Sequence, residues 1–294
     1  MTDIEVIEKV LKSNKPTDIF NGDWKATYRS FSRLIHPDAC HQPNAADAMA
    51  KINYYKDLLE NGVKYTDETG DFRFFDKKLV YEVTPENKKQ LIKSVEHYKR
   101  LRALTDKASV NFHRYLPESM ELSKTELVTT LKDRAVPLTS QELPQVHVNW
   151  LFSRMFEFSL WLRQNEISHM GLNPTTVLVV PETHGIIVTS FYHMNPLGKR
   201  AKTVSAKYKM WYPSTLFTEK IATPDIDLEL CKKIALYLLG DRSAAGTILR
   251  RNKDVNQDVL NFLLTKHQCD YADYDKYRNI LKENFERKFY PLDL

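Results

Sequence analysis

His36, Pro37 and Asp38 stand consecutively in the chain, a polar ring and a carboxylate on either side of a residue that fixes its own backbone. Such a tripeptide suits docking better than catalysis. Pro37 makes the turn rigid, Asp38 offers acceptors, and His36 presents a polar ring at the apex. Upstream, Lys25, Arg29 and Arg33 fall at i, i+4 and i+8, a cationic stripe that can steer and orient an acidic partner surface. Other reactive residue types do not assemble. Cys40, Cys231 and Cys269 are far apart and in no CxxC or Cys/His ligand spacing, so they read as reduced thiols. His36, Cys40 and His41 lack a fourth metal ligand in register. No Ser/His/Asp or Cys/His arrangement can be assigned. Neither a metal nor a cofactor is expected.

The elements that must hold the tripeptide are helical. Ile4, Ile7, Val10 and Leu11 have the spacing of a short amphipathic helix, and Pro16-Thr17-Asp18 breaks it. Asn21 or Asp23 can cap a second helix, along which Trp24, Tyr28, Phe31 and Ile35 form one apolar stripe. His36-Pro37 ends that helix, because proline disfavours the α conformation in the residue before it. Met49, Ile52, Tyr55 and Leu59 make a third stripe, closed by Gly62 as a C-terminal cap.

Tyr28-Arg29-x-Phe31, His36-Pro37-Asp38, Ile52-Asn53-x-Tyr55 and Leu58 or Leu59 resemble the J-domain family over about 60 residues. The resemblance implies a helical hairpin whose tip engages and activates a DnaK-class chaperone ATPase, with Lys25, Arg29, Arg33, His36, Pro37 and Asp38 as the binding residues. Two positions depart from the family. Ala39 stands where many members carry lysine, and so does Leu34, two residues before the tripeptide; weaker or partner-specific binding is the expected consequence.

Beyond residue 64 the texture changes. Residues 65–71 read as a polar linker, followed by strands at 72–75 and 79–83 and a helix from Thr84-Pro85 to Leu104. Val110–Leu116 and Met120–Leu131 read as strands or a hairpin. Val148, Leu151, Phe152, Met155, Phe158 and Leu162 mark a long apolar helix. Val177–Val180 and Ile186–Thr189 flank a turn, a loop runs from His193 to about Thr223, and helices follow.

That order, with Ser168-His169-Met170-Gly171-Leu172-Asn173-Pro174-Thr175-Thr176-Val177-Leu178-Val179 and then Ser190-Phe191-Tyr192, resembles the bilobal protein kinases and their catalytic loop and Asp-Phe-Gly motif. Trp211-Tyr212-Pro213 resembles the end of the activation segment, and Asp227 the buried aspartate of the next helix. The resemblance also exposes substitutions. Gly171 replaces the catalytic aspartate, Asn173 its lysine, Thr176 the metal-binding asparagine and Ser190 the metal-binding aspartate, while Glu82 takes the place of the phosphate-pairing lysine. Glu96 fits either the ion-pair glutamate or a solvated helix position. There is no glycine between Gly70 and Gly171, hence no glycine-rich phosphate loop. Phosphoryl transfer is positioning plus electrostatics, so losing every group together points to a binding surface without catalysis.

The fold class expected is α+β: an all-α J-domain hairpin over 1–64, a linker over 65–71, and a kinase-like unit over 72–294 with a strand-rich N-lobe and a mainly helical C-lobe. Composition agrees with a folded chain: 42% of residues are hydrophobic and 28% charged. No apolar run approaches the roughly 18 residues that span a bilayer, and the acidic start is unlike a signal peptide, so a cytoplasmic, membrane-free protein is expected. The net charge of +5 is not gathered in an arm or tail. The basic stretch Lys199-Arg200-x-Lys202 with Lys207-Tyr208-Lys209 reads as a solvated loop, and nucleic acid is disfavoured as a partner. The functional expectation is a co-chaperone or adaptor that recruits a DnaK-class chaperone and uses an inactive kinase-like domain to choose an unidentified protein client. An ATP-dependent transferase with a displaced catalytic set is the alternative, and a decoy that occupies the chaperone without delivering a client is a third.

Overall fold

Thr2 and Glu5 open the first helix with a reciprocal capping box: Thr2 Oγ1 accepts from Glu5 N at 3.3 Å, and Glu5 Oε2 accepts from Thr2 N at 2.9 Å. The computed structural model describes residues 1–294 other than 15, 21, 76, 140 and 293. By compactness the chain divides into residues 1–64 with 73–75, and residues 65–72 with 76–294.

In the first unit, α1 (Asp3–Lys12) buries Val6, Ile7 and Val10. Ile4, expected on that stripe, is 50% exposed, and Val6 takes its place. Asp23 caps α2 (Trp24–Ile35), its Oδ1 accepting from the Lys25 and Ala26 amides at 3.1 and 3.2 Å. Asn21, the other cap candidate, lies outside the described residues. α3 (Ala45–Asn61) returns along α2, with Tyr28 OH donating to Asn53 Oδ1 at 2.7 Å. Phe31, Ile35, Ala45, Ala48, Ile52 and Tyr55 join the α1 residues in one core.

Gly62 ends α3 with φ +67°, its amide donating to Leu58 O at 3.0 Å. A Cβ there would lie 2.7 Å from Phe74 O. Gly62→Ala therefore adds a left-handed backbone penalty to a clash with main chain. We expect it to cost about 1–3 kcal/mol, read as accelerated hydrogen exchange of the α3 amides.

Strands follow α3. β1 (Val63–Asp67), β2 (Gly70–Phe75) and β3 (Lys78–Glu82) precede α4 (Lys88–Arg102) and the short α5 (Lys107–Phe112); β4 (Ser119–Leu122) and β5 (Glu126–Thr130) complete a sheet of order β1-β2-β3-β5-β4. Three expectations are corrected. Residues 65–71 are no linker but the end of β1, the turn and the start of β2; β1 was missed because, as a polar edge strand, it buries little. The helix begins at Lys88 rather than Pro85, because Asn87 Oδ1 accepts the Thr84 amide at 2.8 Å and Asn87 Nδ2 donates to Glu82 O at 2.8 Å, making 84–87 a turn. Residues 107–115 are helical, since Asp106 Oδ1 caps the Ala108 and Ser109 amides; the hairpin lies at β4–β5.

β6 (Val136–Pro137) leads to α6 (Gln145–Gln164), which buries Leu151, Phe152, Met155, Phe156, Phe158 and Leu162 on several faces, as an interior helix must. β7 (Ile167–Ser168) follows, then the hairpin β8 (Val177–Val180) and β9 (Gly185–Val188), which pairs with β6 through β8. The 193–223 segment is no plain loop: it holds β10 (Asn195–Pro196), paired with β7, and α7 (Ser214–Glu219). α8 (Pro224–Leu238) packs on α6, and α9 (Gln257–Leu264) and α10 (Tyr271–Asn284) finish the chain's helices. No helix among the described residues is long and apolar enough to cross a membrane.

Candidate functional site

Each unit carries one candidate. In the first, His36 terminates α2 with extended backbone, and its carbonyl accepts the amides of Ala39 at 2.9 Å and Cys40 at 2.8 Å. The turn is thereby fixed by main chain, leaving side chains to face outward. His36 Nδ1 lies 3.3 Å from the Asp38 amide and 3.5 Å from Asp38 Oδ2, and the side chains are 49% and 90% exposed. Cys40 is buried beneath the tip. Lys25, Arg29 and Arg33 are exposed along α2, and among the described residues none of the three forms an ion pair. Cationic stripe and tip are therefore both open to a partner.

In the second unit the loop from Ser168 to Thr176 is anchored from below by α8. Asp227, 1% exposed, accepts the His169 amide at 2.7 Å on Oδ2 and the Met170 amide at 2.7 Å on Oδ1. Burial raises its carboxyl to about 6, against the lowering effect of those two amides. Asn173 and Thr176 are consumed inside the loop. Asn173 Oδ1 accepts the amides of Thr175 and Thr176, Asn173 Nδ2 donates to Gly171 O at 3.1 Å, and Thr176 Oγ1 donates to Gly171 O at 2.9 Å.

Gly171 is filled from outside. A Cβ on it would sit 2.8 Å from Cδ2 and 3.3 Å from Cβ of His193. That ring is buried, with Nδ1 3.0 Å from Thr203 Oγ1, and burial lowers it to about 4; burial lowers His169 to about 3. Both rings are neutral at pH 7.

Ser190 is buried at the end of the hairpin, and Phe191 beside it is clamped by α4: its amide donates to Ser94 Oγ at 2.9 Å and its carbonyl accepts from His97 Nδ1 at 2.8 Å. α4 thus turns Ser94 and His97 inward and leaves Glu96 exposed, so of its two readings the solvated helix position is the one observed. Glu82 is exposed at the end of β3, opposite Glu126 across the pair, while Leu79 and Tyr81 are the buried members of that strand. At the β1–β2 turn, Asp67 accepts from Tyr81 OH at 2.8 Å and from Thr69, and Glu68 is hydrogen-bonded by Ser205 Oγ. Burial raises the Asp67 carboxyl and pushes the Tyr81 hydroxyl well up.

Gly171, Asn173, Thr176 and Ser190 thus lie in one buried loop-and-hairpin cluster, while Glu82 is exposed in the sheet. Reading the sequence alone misses His193, Ser94, His97 and Glu68 as site residues. His193 alone carried a signal, as the residue two beyond Phe191. Among the described residues no group of three or more His, Cys, Asp and Glu side chains gathers to hold a metal.

A strand-led sheet with one crossing helix, an interior helix, a polar loop on a buried aspartate and a terminal helical layer define a protein-kinase-like fold. The structure is similar to that of a rhoptry kinase from Toxoplasma gondii, with 15% identity, 74% of each chain covered and a TM-score of 0.50. A Toxoplasma gondii rhoptry antigen kinase domain is also similar, with 16% identity, 75% of this chain and 78% of that one covered, and a TM-score of 0.48. No family model matches the chain, and no curated protein does.

Proposed function

We propose that the chain is a J-type co-chaperone or adaptor: residues 1–64 engage a DnaK-class chaperone through His36, Pro37 and Asp38, and the kinase-like unit serves as a binding module for a protein client. The observation that supports the first half is the tip itself, pinned by two amides on the His36 carbonyl and flanked by an exposed cationic stripe that forms no ion pair among the described residues. Stimulation of a DnaK-class ATPase by the full chain tests it. Three buried, free cysteines fit a reducing compartment such as the cytoplasm.

For the kinase-like unit the supporting observation is His193 packed where a side chain at 171 would begin. A nucleotide triphosphate needs cations and metal ligands, yet the matched positions offer Glu82, Gly171, Thr176 and Ser190, and the β1–β2 turn adds Asp67 and Glu68. We expect no binding heat at millimolar Mg-ATP and a thermal shift below about half a degree. Ser190→Asp leaves this unchanged, since groups that act as a unit do not return singly. Gly171→Asp destabilises the unit by about 1–3 kcal/mol through its contact with His193. A magnesium-dependent shift, or labelled phosphate on any substrate, would favour the transferase instead.

A further inference from the structure

The segment from Lys199 to Ile221 holds Lys199, Arg200, Lys202, Lys207, Lys209 and Lys220 against the single acid Glu219, a net +5 that equals the formal charge of the whole chain. All six cations are exposed, and among the described residues none forms an ion pair. Beside them stand exposed apolar side chains: Met210 at 89%, Ile221 at 39% and Phe217 at 38%.

The segment is held in place. Arg200 bridges Ile221, with the Ala201 amide on Lys220 O at 2.8 Å and the Ala222 amide on Lys199 O at 2.9 Å, so Lys199, Arg200 and Lys220 share one ribbon. Tyr212 OH accepts the Ser205 amide at 2.9 Å and donates to Met170 O at 2.6 Å, fixing the crossing of the loop. Lys209 lies 5.5 Å over the Phe217 ring, next to Met210 in sequence. Like charges fixed close together repel one another, and a partner that neutralises them relieves that repulsion. An apolar side chain as exposed as Met210 is a suitable central anchor for such a contact.

We infer that residues 199–221 form a docking surface for an acidic protein segment carrying aliphatic side chains, its carboxylates on the lysines and its apolar residue on Met210. Single-stranded nucleic acid is the less suited occupant, because it needs open aromatic rings to stack its bases. Tyr208 and Trp211 are 9% and 7% exposed, and Phe217, 38% exposed, already carries the Lys209 ammonium 5.5 Å from its ring centroid. The surface requires nothing of His36 or of a chaperone.

A fluorescein-labelled peptide of Glu-Glu-Leu repeats, titrated with the full chain and followed by anisotropy, tests the assignment, and a chaperone-free assay keeps its outcome separate from the ATPase result. We expect binding that weakens with salt, falls roughly tenfold in Lys207→Glu/Lys209→Glu, and falls severalfold in Met210→Ser, with the Met210 effect absent for Glu-Glu-Ser repeats. These residues are exposed, so folding is not at risk. Absence of peptide binding at low salt, equal affinity in the charge-reversed variant, or tighter binding of an oligo-deoxythymidine than of the peptide at physiological salt would overturn it.

Discussion

His36→Gln in the full chain should reduce stimulation of a DnaK-class ATPase to the chaperone's basal rate, and Asp38→Asn should do the same. Both side chains are exposed and neither belongs to the buried core, so neither change should act by unfolding the first unit. The turn survives as well, because it is built from the His36 carbonyl and the Ala39 and Cys40 amides, which the variants retain. What goes is the ring and the charge at the apex. Reversal of Arg29 should be milder: an exposed cation contributes about 1 kcal/mol or less to a contact, mainly by steering, and its effect should vanish at high salt. Steady-state phosphate release at several ionic strengths separates the two classes. If His36→Gln stimulates as the natural chain does, the co-chaperone reading fails.

Asp227→Ala should cost the second unit about 2–4 kcal/mol at pH 7. It leaves the His169 and Met170 amides buried without an acceptor, each worth about 1–3 kcal/mol, and relief of a buried charge offsets part of that. The sign of the pH dependence follows from the Asp227 carboxyl, raised in the native state from an ordinary 3.8 to about 6. Between those values the native state holds the proton more tightly than the unfolded chain. The stabilisation is full below about pH 4 and is lost as pH rises through about 6. The gap between natural chain and variant should therefore widen by roughly 1 kcal/mol on going from pH 7 to pH 5. Urea unfolding at the two pH values reads it directly, and a gap that narrows would refute the assignment.

Periodicity made most of the framework legible. Stripes such as Phe31/Ile35 and Leu151/Phe152/Met155 mark helices because burial alone demands them, and the β8–β9 hairpin stands out as two apolar runs around a turn. What stayed hidden depends on side chains competing with backbone. Asn87 delays the start of α4, Asp106 converts an alternating stretch into helix, and β1 shows too little apolar surface to betray itself. At the site, the degenerate positions were readable one by one, since each is a residue in a motif. Their surroundings were not. That His193 abuts Gly171, that Ser94 and His97 hold Phe191, and that Glu68 meets Ser205 are contacts between segments far apart in sequence, with no local periodicity to announce them.

The close approach of His193 to Gly171 ties the histories of these two positions together. Adding a side chain at 171 while the imidazole remains forces a clash, and shrinking residue 193 while glycine remains opens a hole, so either single step passes through a less stable chain. Only a paired exchange avoids the valley. The pair therefore acts as a ratchet in sequence space, and related chains should carry a small residue at one position whenever the other is large.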